Sequence, residues 1–171
     1  MITDFQKRQA VEIVNETLDK LGMPQLKGKI AIQWNTTFTR RLGDAHYDPR
    51  MNYCRVRFSV PLWNLAGEAQ QRETVIHEVC HIVDFWKMKN VPGYHSTGGH
   101  GTKWQLMMIA CGVNPNKYHN VQRPPEMKRQ TKKYMARCKC REFEITSHRV
   151  TKMRNGASYV CRMCCERISL V

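Results

Sequence analysis

The sequence of 171 residues has no apolar run near the roughly 18 residues that a membrane-spanning helix needs, so no membrane association is expected. It shows no internal repeat and no low-complexity tract. Acids are scarce: 14 Asp and Glu face 28 Lys and Arg, a formal charge of +14. The opening residues, Met1 to Gln6, carry an acid and no apolar core, which argues against a secretory leader. Apolar residues at 42% and charged residues at 25% exclude a disordered tail or a fibre. The expectation is an intracellular, cytoplasmic protein with one ordinary domain and a small appendage.

Eight cysteines are present, and their placement argues against a disulfide scaffold. Cys54, Cys80 and Cys111 stand singly in apolar surroundings, whereas Cys138, Cys140, Cys161, Cys164 and Cys165 crowd together near the end. Closely spaced cysteines without an export signal more often hold metal than disulfides. Charge is uneven too. Residues 1–121 hold 15 bases and 10 acids; residues 122–171 hold 13 bases and 4 acids. Four thiolates on one Zn²⁺ would remove about two units of that +9 and leave it strongly basic. Such a field favours polyanions, and nucleic-acid contact is expected, through counterion release from phosphates.

Along the chain, Phe5, Val11, Val14, Leu18 and Leu21 recur at helical spacing up to Gly22 and Pro24. Strands are predicted at Lys29–Trp34, Arg40–Tyr47 and Tyr53–Val60, the last two joined by a turn at 48–52. Residues 68–88 run without Gly or Pro, as a long helix. A loop rich in Gly follows to Gly99, and a short helix capped by Thr102 runs to Ala110. Residues 122–137 read as a basic linker.

The long helix contains His77-Glu78-Val79-Cys80-His81, an H-E-x-x-H motif. Positions i and i+4 share a helix face, so both imidazoles reach one ion, and Glu78 lies beside it as a general acid/base. A catalytic zinc takes a third protein ligand and keeps one position open. Asp84 shares the face but lies about 10 Å along the axis from His77, and reads as a hydrogen-bond partner or ion pair. Asp84 and Lys87 stand where a metzincin has Gly and His. Of His95, His100 and His119, the favoured ligand is His100, because flanking Gly99 and Gly101 let backbone pass close to the ion, and His95, mid-loop with less to hold it, is the weaker alternative. His119 reads as a surface residue.

Cys138-x-Cys140 and Cys161-x-x-Cys164 bracket twenty residues with strand-like stretches at 142–146 and 157–160 and a hairpin signal at Asn155-Gly156. Two knuckles on a hairpin make a zinc ribbon, a closed structural site without which so small a module lacks the core to fold. Cys165 competes with Cys164 as fourth ligand, and His148 is a lesser rival.

Taken together, His77-Glu78-Val79-Cys80-His81, Gly99-His100-Gly101 with Trp104, and the terminal cysteine pairs resemble the SprT-like zinc metallopeptidase family, which includes the DNA–protein crosslink protease Spartan. The resemblance implies an α+β fold: a zincin-like domain over 1–121, with helices on a small antiparallel sheet, then the linker and a zinc ribbon over 138–171. It implies a catalytic zinc on His77, His81 and His100, a structural zinc on the cysteines, and Glu78 as general acid/base. It further implies protein substrates at or near DNA. Two other readings stand beside it: a non-proteolytic DNA-binding or regulatory module, and a specific regulatory peptidase independent of DNA. Oligomeric state is not legible.

Overall fold

The computed structural model describes residues 1–127 and 132–171, in two compact units, Met1–Met127 and Lys128–Val171. In the first, α1 (Asp4–Lys20) starts at a capping box in which the Thr3 and Gln6 side chains bond each other's backbone N–H. It stops where Gly22 takes a left-handed φ of 65°. Its buried stripe, Ala10, Val14, Thr17 and Leu18, packs on α3 (Glu68–Asn90).

The sheet departs from the sequence expectation. Strands β1 (Ile30–Asn35), β2 (Gly43–Asp48) and β3 (Tyr53–Ser59) lie in the order β1-β3-β2, with β1 parallel to β3 and β2 antiparallel to it. The sheet is therefore mixed, not antiparallel. The segment after β1 crosses to the far edge, and the hairpin at 48–52 returns the chain to the centre. Trp34, Phe58 and Trp63 of the short helix α2 (Val60–Trp63) form an aromatic cluster with centroids 5.0–5.6 Å apart.

Helix α3 runs through the middle of the core. Val75, Ile76, Val79, Cys80, Ile82 and Val83 are all at most 2% exposed, and α1, β2 and α4 (Thr102–Ala110) pack around them. Burying that many aliphatic side chains, at about 1.5–3 kcal/mol each, fixes the helix rigidly. Thr102 does not cap α4. It is the first helical residue, Gly101 is the cap position, and the Thr97 hydroxyl accepts from the Lys103 N–H at 3.1 Å.

In the second unit, β5 (Glu142–Thr146), β4 (Lys133–Arg137) and β6 (Ser169–Leu170) form an antiparallel sheet in the order β5-β4-β6. Helix α5 (Ser147–Arg154) buries Val150 against Ala136 and Ile145. Two expectations are corrected here. The part of the predicted linker at 133–137 is strand β4, because Ala136 alternates inward beneath Ile145 and α5; residues 128–131 of that linker lie outside the described ones. Asn155-Gly156 ends α5 instead of turning a hairpin: Asn155 has φ −87°, and only Gly156, at φ 93°, is left-handed. Residues 157–160 contribute only an isolated bridge from Val160 to Arg167.

Candidate metal centre

The helical repeat of α3 puts His77 and His81 on one face, and Gly99-His100-Gly101 brings the third imidazole to them. Their Nε2 atoms form a triangle with sides of 3.0, 3.2 and 3.2 Å. Hydrogen bonds cannot satisfy such a triangle, since each neutral ring offers Nε2 as either donor or acceptor and never both. One cation at its centre satisfies all three lone pairs. Ligand distances of 2.0–2.1 Å around a tetrahedral ion place nitrogens about 3.3 Å apart, so the triad fits a zinc-sized ion. Burial, then repulsion from His81 and His100, holds His77 down to about 3, opposed by a hydrogen bond with the Asn116 backbone. Burial and His100 hold His81 down to about 4. Neutral imidazoles are the form a metal requires.

Beneath the triad lies the Trp104 indole, 4.6–5.4 Å from each of the three rings, with Nε1 donating to the His77 carbonyl at 3.3 Å. Gly101 is required by space. A Cβ there would stand 2.4–2.7 Å from Thr97, including its carbonyl oxygen.

The loop before His100 is held from both sides. Asp84, 2% exposed, accepts from the Tyr94 hydroxyl at 2.6 Å and from the Ser96 hydroxyl. Lys103 of α4 lies 3.9 Å over the Tyr94 ring and donates to the His95 carbonyl. The sequence could show that Asp84 shares the helix face, but not which loop hydroxyls it meets. His95 is exposed and stays outside the triad. Tyr47 is likewise engaged, its hydroxyl donating to Asn52 Oδ1 at 3.3 Å and accepting from the Asn90 amide at 3.1 Å.

Glu78 is 6% exposed and lies against Gly43, at the start of β2. A Cβ on Gly43 would meet Glu78 Cγ and Oε1 at 2.9 Å. A lone Gly in a strand signals close approach by another group, and that signal was readable in the sequence. Burial pushes the Glu78 carboxyl up to about 8, the Asp44 charge adding and Arg41 opposing.

Beside His77 and Glu78 opens a cleft of about 480 Å³ between residues 40–43, α3 and residues 113–123. His119, read from sequence as a surface residue, is partly buried in its wall, with Nε2 3.2 Å from the Arg40 carbonyl. That contact is long-range, which is why sequence spacing gave no hint of it.

In the second unit Cys138, Cys140, Cys161 and Cys164 bring their Sγ atoms within 4.8 Å of one another, with Cys138–Cys140 at 3.3 Å and Cys140–Cys161 at 3.7 Å. Thiolates at 2.3 Å from one tetrahedral ion would be about 3.8 Å apart, so this set also fits zinc. Backbone hydrogen bonds from Cys164 and Met163 hold the Cys161 thiol down to about 6, toward the thiolate that a metal binds. Cys165 is exposed at φ 55°, and neither it nor His148 is part of the group.

An α+β chain in which two histidines of an H-E-x-x-H helix meet a third from a loop, with a separate four-cysteine group, defines a class of protein with two candidate metal sites. The SprT-like family model matches residues 10–125, and the chain belongs to that family. It is 31% identical over 128 residues to Protein SprT of Pseudomonas putida strain GB-1, covering 73% of this chain and 71% of the relative. To Protein SprT of Pseudomonas syringae pv. tomato it is 33% identical over 136 residues, covering 74% and 72%. Among the described residues, no helix is long and apolar enough to cross a membrane.

Proposed function

We propose that the chain is a zinc-dependent endopeptidase with a zincin-type catalytic domain, cutting proteins at or near DNA in the cytoplasm. The observation that carries this reading is the convergence of His77, His81 and His100 next to a buried carboxylate, Glu78, with His77 and Glu78 lining a cleft. His77, His81 and His100 would hold the catalytic zinc, and Cys138, Cys140, Cys161 and Cys164 a structural one. When bound, the catalytic ion supplies Lewis acidity, lowering the pKa of a water and polarising a carbonyl.

The chain's own residues do the rest. Glu78 accepts a proton from the attacking water and returns it to the leaving amine. Its burial raises its basicity. Trp104 fixes the tilt of the three rings, and Asp84 with Lys103 holds the loop that delivers His100. The second unit supplies the positive field for DNA: residues 128–171 carry 12 bases against 3 acids.

Glu78→Gln keeps the shape and every imidazole while removing the base. It should bind zinc as the wild type does and cut nothing. Continued proteolysis by that variant rejects the mechanism. Failure of the wild type to cut any protein, with or without DNA, would favour a regulatory DNA-binding module.

A further inference from the structure

The cleft beside His77 and Glu78 carries four cations that hydrolysis does not use: Arg40, Arg41, Lys117 and Arg123. Apart from Glu78, the one carboxylate in its lining among the described residues is Glu73. Arg41 does contact Asp44, at 3.2 Å, but Arg57 already engages both oxygens of that carboxylate at 2.8 and 2.6 Å. Two guanidinium groups on one carboxylate leave a positive excess. Arg40, Lys117 and Arg123 make no ion pair among the described residues.

These charges sit on backbone that is tied across the cleft. His119 Nε2 contacts the Arg40 carbonyl and Arg123 donates to the Thr39 carbonyl, both at 3.2 Å, while the Asn120 N–H donates to Gln70 Oε1. The rims are therefore joined, so the backbone that carries Arg40 and Arg123 is held in place. A cavity of about 480 Å³ holds a few side chains. It has no room for a duplex, whose phosphates would also face Glu73 and Glu78.

We propose that this cleft is an acid-selecting subsite, in which Arg40, Arg41 and Lys117 bind an Asp or Glu side chain of the polypeptide substrate one or two residues from the bond presented to Glu78. The inference rests on the peptidase reading above and narrows its substrate class. Partly screened ion pairs of this kind are worth a few-fold each, so the selectivity should be about three- to tenfold and should shrink as salt is raised.

The test uses the zinc-loaded full chain and pairs of peptides that differ only by Glu or Gln, with the position scanned around the cut. One position should favour Glu in kcat/KM by about three- to tenfold. The double charge reversal Arg40→Glu with Lys117→Glu should turn that preference toward Lys, and Arg40→Gln with Lys117→Gln should abolish it should the reversal fail to fold. No preference at any position, or one that both double variants retain, overturns the inference while the peptidase reading stands. Fluorescence anisotropy of the same peptides on the Glu78→Gln protein reads the subsite without turnover. A preference for Glu there, with no cleavage by the wild type, supports the subsite and sinks the peptidase reading. Reversal that weakens binding of a single-stranded oligonucleotide yet leaves the Glu to Gln ratio untouched makes the cleft a phosphate site and overturns the proposal.

Discussion

Adding one methyl group at Gly43 tests whether the placement of Glu78, and not merely its presence, governs turnover. A Cβ on Gly43 would lie 2.9 Å from Glu78 Cγ and Oε1 and 3.2 Å from Cδ. Comfortable carbon contacts begin near 3.5 Å, so the carboxylate must retreat by about 0.6 Å or more. Gly43 is not among the residues with positive φ, so the backbone itself accepts alanine without strain. Overpacking costs about 1–3 kcal/mol, and the smaller entropy loss of alanine in a strand returns up to ~1. Stability should thus fall by no more than about 2 kcal/mol, a few degrees of Tm in a chain of this size. Catalysis is far more sensitive, because a displacement of about 1 Å can cost ~10²-fold. Gly43→Ala should therefore lose about 10- to 100-fold in kcat, with zinc content unchanged and KM nearly so. Peptide kinetics, metal analysis and a melting curve on one preparation decide it. A kcat within twofold of wild type, or loss of the metal, refutes the reasoning.

Asp84→Ala removes the acceptor for two loop hydroxyls and should lower zinc affinity of the triad by about 10- to 100-fold, read by competition with a chelating dye; unchanged affinity would mean that Asp84 does not position His100. Cys164→Ser should strip metal from the second unit and collapse its amide dispersion in NMR spectra. Cys165→Gly should retain the metal and stabilise that unit by about 1 kcal/mol, because φ 55° is costly for any residue with a Cβ; the opposite outcome for the two variants reverses the ligand assignment. With metal removed by chelation, stability should peak between about pH 6 and 7. His77 and His81, held down to about 3 and 4, contribute stability that is full above their unfolded value of 6.5 and drains as the pH falls. Glu78, raised to about 8 from 4.5, contributes stability that is full below 4.5 and is lost as the pH rises through 8. Urea titrations from pH 5 to 9 that show a steady rise throughout would contradict this.

Much of the candidate site was legible because its parts are local. His77 and His81 are joined by one turn of helix, the flanking glycines singled out His100, and each cysteine knuckle lies within three residues of its partner. Helices α1 and α3 showed in their apolar spacing and in the absence of Gly and Pro. The sheet order was not legible, since a parallel pairing such as Ile30 with Cys54 has no turn of its own to announce it. Asn155-Gly156 misled for a definable reason. A hairpin turn and a helix end both call for a residue that tolerates positive φ, and only packing of Val150 and Ile145 selects the helix.

The same division between local and long-range explains where the site should yield first. Two imidazoles belong to α3, whose core-facing side chains are almost wholly buried, and local opening there requires much of the core to open with it. The third belongs to a loop tied down by two hydroxyls on Asp84, one ammonium over Tyr94 and the Thr97 hydroxyl on the Lys103 N–H. Those contacts are few and partly solvent-exposed, so loop opening costs much less than unfolding α3. A cation bound by all three rings must hold that loop shut, since it binds the closed arrangement more tightly than the open one. Hydrogen exchange should then show metal-dependent protection concentrated in residues 94–103, with the amides of 75–83 protected whether or not metal is present. Equal protection of both segments by metal would place the weak point elsewhere and make His100 as rigid as the helix it faces.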